Sequence, residues 1–235
     1  RSLNSLFKSI NYLKKNRNNI EINIKIIDDG SKVENLKKIQ NIINKFNLNI
    51  DIMNHDNQIH KNIIKKQTSE QTFSNLSSLL KCFEISKKEG KDLVFFVEDD
   101  YLHFEPMLEE MVVSYERISS QANKELFMCP ADYPYLYMNN IKTNVLIGNK
   151  RHWRTIDKTL CTFMTSIGLI NKYWDNFKNT CIDRNDPFEK HLNTIYKDEI
   201  CISPLKSLSV HMTNINSSYG LSPFIDYKAL WDEHE

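Results

Sequence analysis

Three carboxylates in a row, Glu98, Asp99 and Asp100, are the residues of this sequence best suited to chemistry. They follow an apolar run, 92–97, of the kind found in a strand covered on both faces. Because adjacent carboxylates repel one another, a bound divalent cation would stabilise the cluster. Hard oxygen ligands suit Mg²⁺ or Mn²⁺, which in proteins commonly also bind substrate phosphates. The triplet therefore predicts a metal and phosphate site, and the alternative is a solvated acidic turn.

A second acidic pair, Asp28 and Asp29, ends the alternating apolar segment 21–27. Its alternative explanation is an ordinary strand-to-helix turn, in which Ser31 and Glu34 form a capping box. Ligands of open α/β sheets bind beyond the carboxyl ends of the strands. We expect both acidic clusters to lie at that edge of one parallel sheet, which makes a shared site plausible.

The pattern of apolar residues predicts an α/β fold with a mostly parallel central sheet flanked by helices. After about residue 126 short β-prone pieces predict a smaller mixed β region in the C-terminal half. We expect one domain over 1–235, with halves 1–125 and 126–235, and an irregular loop over 55–71. The predicted helices begin near residues 3, 31, 73 and 106, and the predicted strands cover 21–27, 48–52 and 92–97.

Composition excludes several classes of protein. The chain has 235 residues with 40% hydrophobic residues, enough for a buried core, and its formal net charge of +1 offers no basic field for nucleic acid. The five cysteines are scattered without Cys-x-x-Cys spacing, which argues against structural zinc and favours a reducing cytoplasm. No apolar run approaches the roughly 20 residues of a transmembrane helix, so we expect any membrane association to be made through partners.

The segments 26–31 and 94–100 together resemble the GT-A fold glycosyltransferases, in particular the family 2-like group. The resemblance implies a Rossmann-like sheet and metal-dependent transfer of a hexose from a UDP- or GDP-sugar to a saccharide or lipid-linked hydroxyl acceptor. It places Asp28 or Asp29 against the nucleoside base. It matches 98–100 to the D-x-D motif, with Glu98 near the ribose, Asp100 on Mn²⁺ or Mg²⁺, and Asp99 in support.

This family opens with a strand whose end packs against the base, whereas the present sequence opens in a helix. We expect residues upstream of residue 1 to supply that first strand, together with any additional domains.

Two further roles follow from the resemblance. His211 on a late predicted strand matches a histidine that many of these enzymes place on the metal; the alternative is an ordinary packed or surface histidine. An inverting enzyme needs a carboxylate base that opens a helix, and Asp186 followed by Pro187 fits, with Asp183 and Glu189 as rivals. A structural helix cap explains Asp186 equally, and a retaining enzyme requires no such base.

Weaker signals concern the donor. Asn75 on the helix before the triplet is a candidate polar contact, and Arg154 in the cationic, Trp-containing segment 150–154 is a candidate phosphate or sugar contact. A solvated hairpin with one packed Trp is the alternative for that segment. The resemblance also implies that the tail 213–227 closes over bound donor.

Other classes fit less well. A phospho-acceptor receiver domain needs about half this length, and a metal nuclease would show a carboxylate with a following lysine pair and a basic face. A nucleotide-sugar-binding module without turnover remains the non-enzymatic alternative.

Overall fold

The computed structural model describes residues 1–65, 69–138, 140–213, 215–222 and 224–235. The chain forms two compact units, each built from separate stretches of sequence. The first unit comprises Arg1–Ile20, Phe95–Thr165 and Asp198–Glu235, and the second comprises Glu21–Val94 and Ser166–Lys197. Both sequence halves on either side of residue 125 contribute to both units, so the units do not follow the division expected there. The single-domain assignment stays a prediction.

Helices and strands alternate through the described residues, which confirms the predicted α/β class. The helices are α1 Ser2–Asn16, α2 Val33–Lys45, α3 Glu70–Glu89, α4 Met107–Ala122, α5 Ile167–Lys172, α6 Trp174–Ile182, α7 Lys190–Ile195 and α8 Tyr227–Glu233. The strands are β1 Ile24–Asp28, β2 Ile50–Asn54, β3 Leu93–Phe96, β4 Tyr101–His103, β5 Leu126–Met128, β6 Val145–Ile147, β7 His152–Thr155, β8 Phe163–Ser166, β9 Ile200–Pro204 and β10 Ser209–His211. Within the described ranges, no helix is both long and apolar enough to cross a bilayer.

The strands form one mixed six-stranded sheet and two pairs. The large sheet has the order β3-β8-β5-β9-β7-β6, with β5 parallel to β9 and the pairs β5–β8, β7–β9 and β6–β7 antiparallel. Strands β1 and β2 pair in parallel, and β4 and β10 pair antiparallel. Asp28 thus ends a strand of one sheet, while the triplet follows a strand of another. The expectation that both acidic clusters end strands of one sheet is wrong, because β1 takes only β2 as a partner in the described sheets.

In the first unit, α1 packs against α4 and β4. Its apolar stripe supplies Phe7 and Leu13, which are almost fully buried. Two serines of the same helix satisfy backbone amides that secondary structure leaves free. The Ser9 hydroxyl accepts from Leu108 N–H at 2.9 Å in the first turn of α4, and the Ser5 hydroxyl accepts from His103 N–H at 3.0 Å. These bonds hold β4 and α4 in place beside α1.

In the second unit, α3 buries the face that carries Leu76, Leu80 and Phe83. Phe83 meets Phe177 of α6 edge to face, with ring centroids 5.0 Å apart. The long helix therefore packs as its apolar spacing predicts, and it is the central element of this unit.

Two predicted helix starts are wrong. Helix α2 begins after Lys32 without a side-chain cap, and Ser31 instead donates its N–H to the Asp28 carboxylate at 3.3 Å.

Helix α7 begins at Lys190, not beside Asp186 and Pro187. Lys190 N–H donates to the Pro187 carbonyl at 3.1 Å, so a separate turn precedes the helix. Asp186 lies before that turn and is not the N-cap of α7, and the residue in the N-cap position, Glu189, makes no side-chain cap bond.

Candidate functional site

The pairing of β4 with β10 brings Asp100 and His211 together. His211 lies opposite Tyr101 in the antiparallel register, and Met212 N–H donates to the Asp100 carbonyl at 2.8 Å. The pairing sets Asp100 Oδ2 3.0 Å from His211 Nε2, although the two residues are 111 positions apart in sequence. The predicted association of the triplet with a late histidine is thus present in the structure as a side-chain contact.

The bond between His211 Nδ1 and the Tyr219 carbonyl shows which ring nitrogen of His211 carries a proton. His211 Nδ1 lies 3.1 Å from the Tyr219 carbonyl, which can only accept, so Nδ1 carries a proton. His211 Nε2 faces a carboxylate, which when ionised also only accepts. The pair therefore requires either a second proton on His211 or a cation that takes its place.

Burial and pairing act in opposite directions on both groups. Burial by itself lowers the pKa of His211, but the bond to Asp100 outweighs it, so the pKa lies above its ordinary value. Burial by itself raises the pKa of Asp100, but bonds from His211 and Thr213 outweigh it, so this pKa lies below its ordinary value. Each group therefore favours the charged form of the other.

The pair fits a divalent cation. Asp100 Oδ1 is buried and has no hydrogen-bond partner, which leaves an acceptor free for a ligand. Among the described residues, no group of three or more His, Cys, Asp or Glu side chains is arranged to hold a metal. Mg²⁺ and Mn²⁺ are commonly held by one or two protein groups together with water and substrate phosphates. The donor set therefore suits a cation that arrives with an anionic ligand.

The imidazole of His211 is held from a second side by Tyr101, which in turn is bonded to Tyr133. The Tyr101 ring stacks on it with centroids 4.8 Å apart and planes 16° apart. Tyr101 is fully buried, and its hydroxyl lies 2.5 Å from that of Tyr133. Burial raises the pKa of both phenols well above the ordinary value, so both stay neutral. Sequence reasoning missed both tyrosines; the position of Tyr101 directly after the triplet was the one available signal.

The other two acids of the triplet have different surroundings. The Thr162 hydroxyl accepts from Glu98 N–H at 3.0 Å and donates to Glu98 Oε2 at 3.1 Å, which restricts that side chain. Asp99 is exposed and makes no hydrogen bond with any described residue. The three consecutive acids are therefore one restricted, one free and one paired carboxylate.

The segment from Met212 to Ser222 contacts the same region of the first unit. Besides the Tyr219 carbonyl on His211, Ser218 accepts from Tyr135 N–H at 2.9 Å. The Tyr135 and Tyr219 rings lie 5.1 Å apart. Closure of this tail over a donor stays a prediction, and Asn214 and Pro223 lie outside the described residues.

Arg154 is buried in the first unit, where it pairs with Asp132 and lies under the Tyr137 ring, 4.2 Å from its centroid. Burial raises the pKa of Asp132 more than its bonds to Tyr137 and Arg154 lower it. Trp153 is fully buried and donates to Ser114 at 3.1 Å. The segment forms a hairpin strand with a packed Trp, but it is not the solvated hairpin of the alternative interpretation, because Arg154 is buried as well. A donor contact by Arg154 stays a prediction.

In the second unit, the acidic pair after β1 is engaged in local structure. The Asp28 carboxylate accepts the bond from Ser31 N–H, and the residue is buried, with 8% of its surface exposed. The Asp29 carboxylate accepts from the Ser74 hydroxyl and, at 3.5 Å, from the Asn57 amide. These bonds tie the loop after β1 to the start of α3, and a base contact by either aspartate stays a prediction.

The remaining predicted residues also lie in the second unit. Asn75 lines a cavity of about 340 Å³ together with Arg184 and Phe188. Asp186 is exposed, whereas its rival Asp183 forms an ion pair with Lys65 at 3.1 Å. The roles of Asn75 and Asp186 stay predictions.

A buried polar cluster lies in the region predicted as an irregular loop. The Ser77 hydroxyl lies 2.8 Å from both His55 Nε2 and His60 Nδ1, and His60 Nε2 lies 3.2 Å from Glu84 Oε2. Both histidines are buried, and burial lowers the pKa of His55. The loop has no apolar period, so nothing in its sequence marks these histidines as buried. The cluster holds the short 3₁₀ turn Asn57–His60 against α3.

No family model and no curated protein sequence matches this chain. A solved structure described as apo-UDP-glucose pyrophosphorylase is similar to this chain. The similarity covers 92% of the present chain and 82% of the chain of that structure, with 10% sequence identity and a TM-score of 0.46.

Proposed function

We propose that this chain is a metal-dependent glycosyltransferase that moves a sugar from a nucleoside-diphosphate sugar to a hydroxyl acceptor, with inversion favoured, in the synthesis of a polysaccharide or glycoconjugate. The observation that carries the proposal is the Asp100–His211 pair, 3.0 Å apart and with one buried carboxylate oxygen left without a partner. It joins the acidic triplet to the late histidine that the sequence resemblance predicts.

Asp100 and His211 are the proposed ligands of Mn²⁺ or Mg²⁺, and such an ion would supply positive charge against the leaving diphosphate. The stack with Tyr101 and the Nδ1–H bond to Tyr219 orient the imidazole so that Nε2 faces the ion site. Glu98, restricted by its bonds to Thr162, is the proposed ribose contact.

Asp186 is the proposed general base. It would accept the proton of the acceptor hydroxyl while the new C–O bond forms at the anomeric carbon and the bond to the diphosphate breaks. Asp186 is exposed, as a group that must meet a second substrate needs to be. The remaining proposed contacts are those of Asp28 or Asp29 with the nucleoside base. Asn75 and Arg154 are proposed to contact the donor.

The test is a panel of UDP- and GDP-sugars assayed for hydrolysis and transfer with Mn²⁺ or Mg²⁺ and with EDTA. We expect turnover that requires the metal and that Asp100→Ala abolishes. Asp198→Ala is the matched control, because it removes an exposed acid of the same unit that has no role in the proposed site, and we expect it to keep most of the activity. Binding of a nucleoside diphosphate without turnover across the panel would identify a binding module instead. Equal turnover in EDTA would contradict the proposal.

A further inference from the structure

A cavity of about 340 Å³ lies within the second unit, between the beginning of α3 and the segment before α7. From α3 it is lined by Ser69, Gln71, Thr72 and Asn75, and from the other segment by Arg184 and Phe188. A volume of this size is at the lower end of the range that small-molecule sites occupy. The cavity therefore has room for one sugar ring.

The polar groups of the lining divide into engaged and free ones. Ser69 and Thr72 bond to each other at 2.8 Å and close the first turn of α3. The side chains of Gln71, Asn75 and Arg184, by contrast, make no hydrogen bond or ion pair with the residues that the structure describes. Two amides and one guanidinium are thus available to a ligand.

The residues that line the cavity carry only positive formal charge. None of the six lining residues is acidic, and Arg184 carries the one formal charge among them. The adjacent Asp183 is paired with Lys65 at 3.1 Å, so it is engaged away from Arg184. A guanidinium without a carboxylate partner forms bidentate bonds with a carboxylate or phosphate. Amides beside it can bond sugar hydroxyls, and the Phe188 ring offers an apolar surface to a sugar face.

We infer that this cavity binds a saccharide that carries a negative group, a carboxylate or a phosphate, with Arg184 on the anion and Gln71 on a hydroxyl. The assignment of this saccharide as the acceptor rests on the proposed function, and is favoured because the proposed base, Asp186, lies two positions from Arg184 in the chain. The binding itself needs neither donor nor metal.

The test is a binding titration of the full chain in EDTA and without donor, followed by NMR or calorimetry. The probes are methyl β-D-glucuronide, glucose 6-phosphate, methyl β-D-glucoside and inorganic phosphate. We expect one of the charged sugars to bind about tenfold or more tightly than the neutral glucoside and than inorganic phosphate, and the tighter one identifies the anion. Arg184→Gln removes this preference, and Phe188→Ala weakens both charged and neutral sugars.

Lys38→Gln, at an exposed cation on α2 of the same unit, is the matched control and should leave the titration unchanged. Affinity for both charged sugars no higher than for the glucoside, equal binding by Arg184→Gln and the wild type, or binding of inorganic phosphate as tight as that of the tighter charged sugar would each overturn the inference.

The two proposals fail separately. Arg184-dependent binding of an acidic sugar without any sugar transfer would contradict the proposed transferase activity and leave the proposed sugar-binding cavity unaffected. Metal-dependent transfer to neutral acceptors, unaffected by Arg184→Gln, would overturn the assignment of this cavity to the acceptor and leave the transferase intact.

Discussion

The two acidic clusters of this chain occupy similar positions in the sequence but have different hydrogen-bond partners in the structure. In each, carboxylates follow directly on an apolar strand, at Asp28–Asp29 after β1 and at Glu98–Asp100 after β3. Around the first cluster, backbone and side-chain donors of the same unit occupy both aspartates. In the second, Asp100 faces an imidazole and keeps one buried oxygen without a partner. Similar sequence positions therefore differ in what they can still bind.

The difference lies in the type of partner. A hydroxyl or amide that donates to a carboxylate satisfies it and stabilises a turn. A histidine bonded elsewhere through Nδ1–H can share the carboxylate only through a proton or a metal ion. The Asp100–His211 pair is the proposed cation site, whereas both aspartates of the Asp28–Asp29 turn already accept hydrogen bonds within their own unit.

The largest effect should follow loss of the Asp100 charge. We expect Asp100→Asn, which keeps the shape of the side chain, to lower Mn²⁺-dependent donor turnover by about a thousandfold or more, because charge stabilisation at a leaving group is commonly worth that much. The measurement is kcat across a metal titration. If Asp100→Asn kept wild-type turnover, the contrast between the two clusters would have no functional meaning.

The pairing of β4 with β10, which makes the Asp100–His211 contact, should be acid-sensitive through His103. This residue is fully buried with Nδ1 2.7 Å from Ser209 Oγ, and burial lowers the pKa of His103 to about 3. Below the ordinary pKa of 6.5 the unfolded chain binds the proton and the folded chain does not, so stability falls as pH falls. Between pH 7 and pH 4 we expect a loss of about 3 kcal/mol from this group.

Urea unfolding at several pH values measures this loss. His103→Asn, whose amide can still reach Ser209, should flatten the slope between pH 4 and 6, while the same change at exposed His152 should leave it as in the wild type. Identical slopes in all three proteins would show that His103 does not make the strand pair acid-sensitive.

Asp29→Asn should mainly cost stability. The amide loses the charge that strengthens the bonds from Ser74 and Asn57, and we expect the free energy of unfolding to fall by about 1–2 kcal/mol. Denaturant unfolding measures it, with Asp92→Asn at an exposed aspartate of the same unit as the control. A thousandfold loss of kcat without loss of stability would place Asp29 in the same class as Asp100 and break the contrast.

The smallest effect should come from the ring beneath His211. Tyr101→Leu removes the stack on the imidazole, and we expect Mn²⁺ affinity to fall about tenfold, as with other groups that orient a metal ligand. Tyr101→Phe keeps the ring and loses only the bond to Tyr133, so its Mn²⁺ affinity should stay close to that of the wild type. Calorimetric titration with Mn²⁺ separates the two, and equal affinities for all three proteins would rule out orientation by the ring.

The sequence by itself determined the class of fold and the long elements. Apolar residues at helical spacing predict α1 and α3, and alternating or continuous apolar runs predict β1, β2 and β3, because burial of one face depends on periodicity alone. The triplet could be singled out by the type and spacing of its carboxylates, whereas His211 was singled out only through the family resemblance.

Tertiary structure decided which of these groups remain available. The register of β4 with β10 brings Asp100 next to His211. Ser77 of α3 bonds to His55 and His60, which are buried although the sequence predicts a loop there. The bonds of Asp29 also depend on partners outside its own segment. Periodicity describes one element at a time, whereas hydrogen-bond partners distant in sequence are chosen only when the chain packs. That is why the two acidic clusters, alike in sequence, differ in the folded protein.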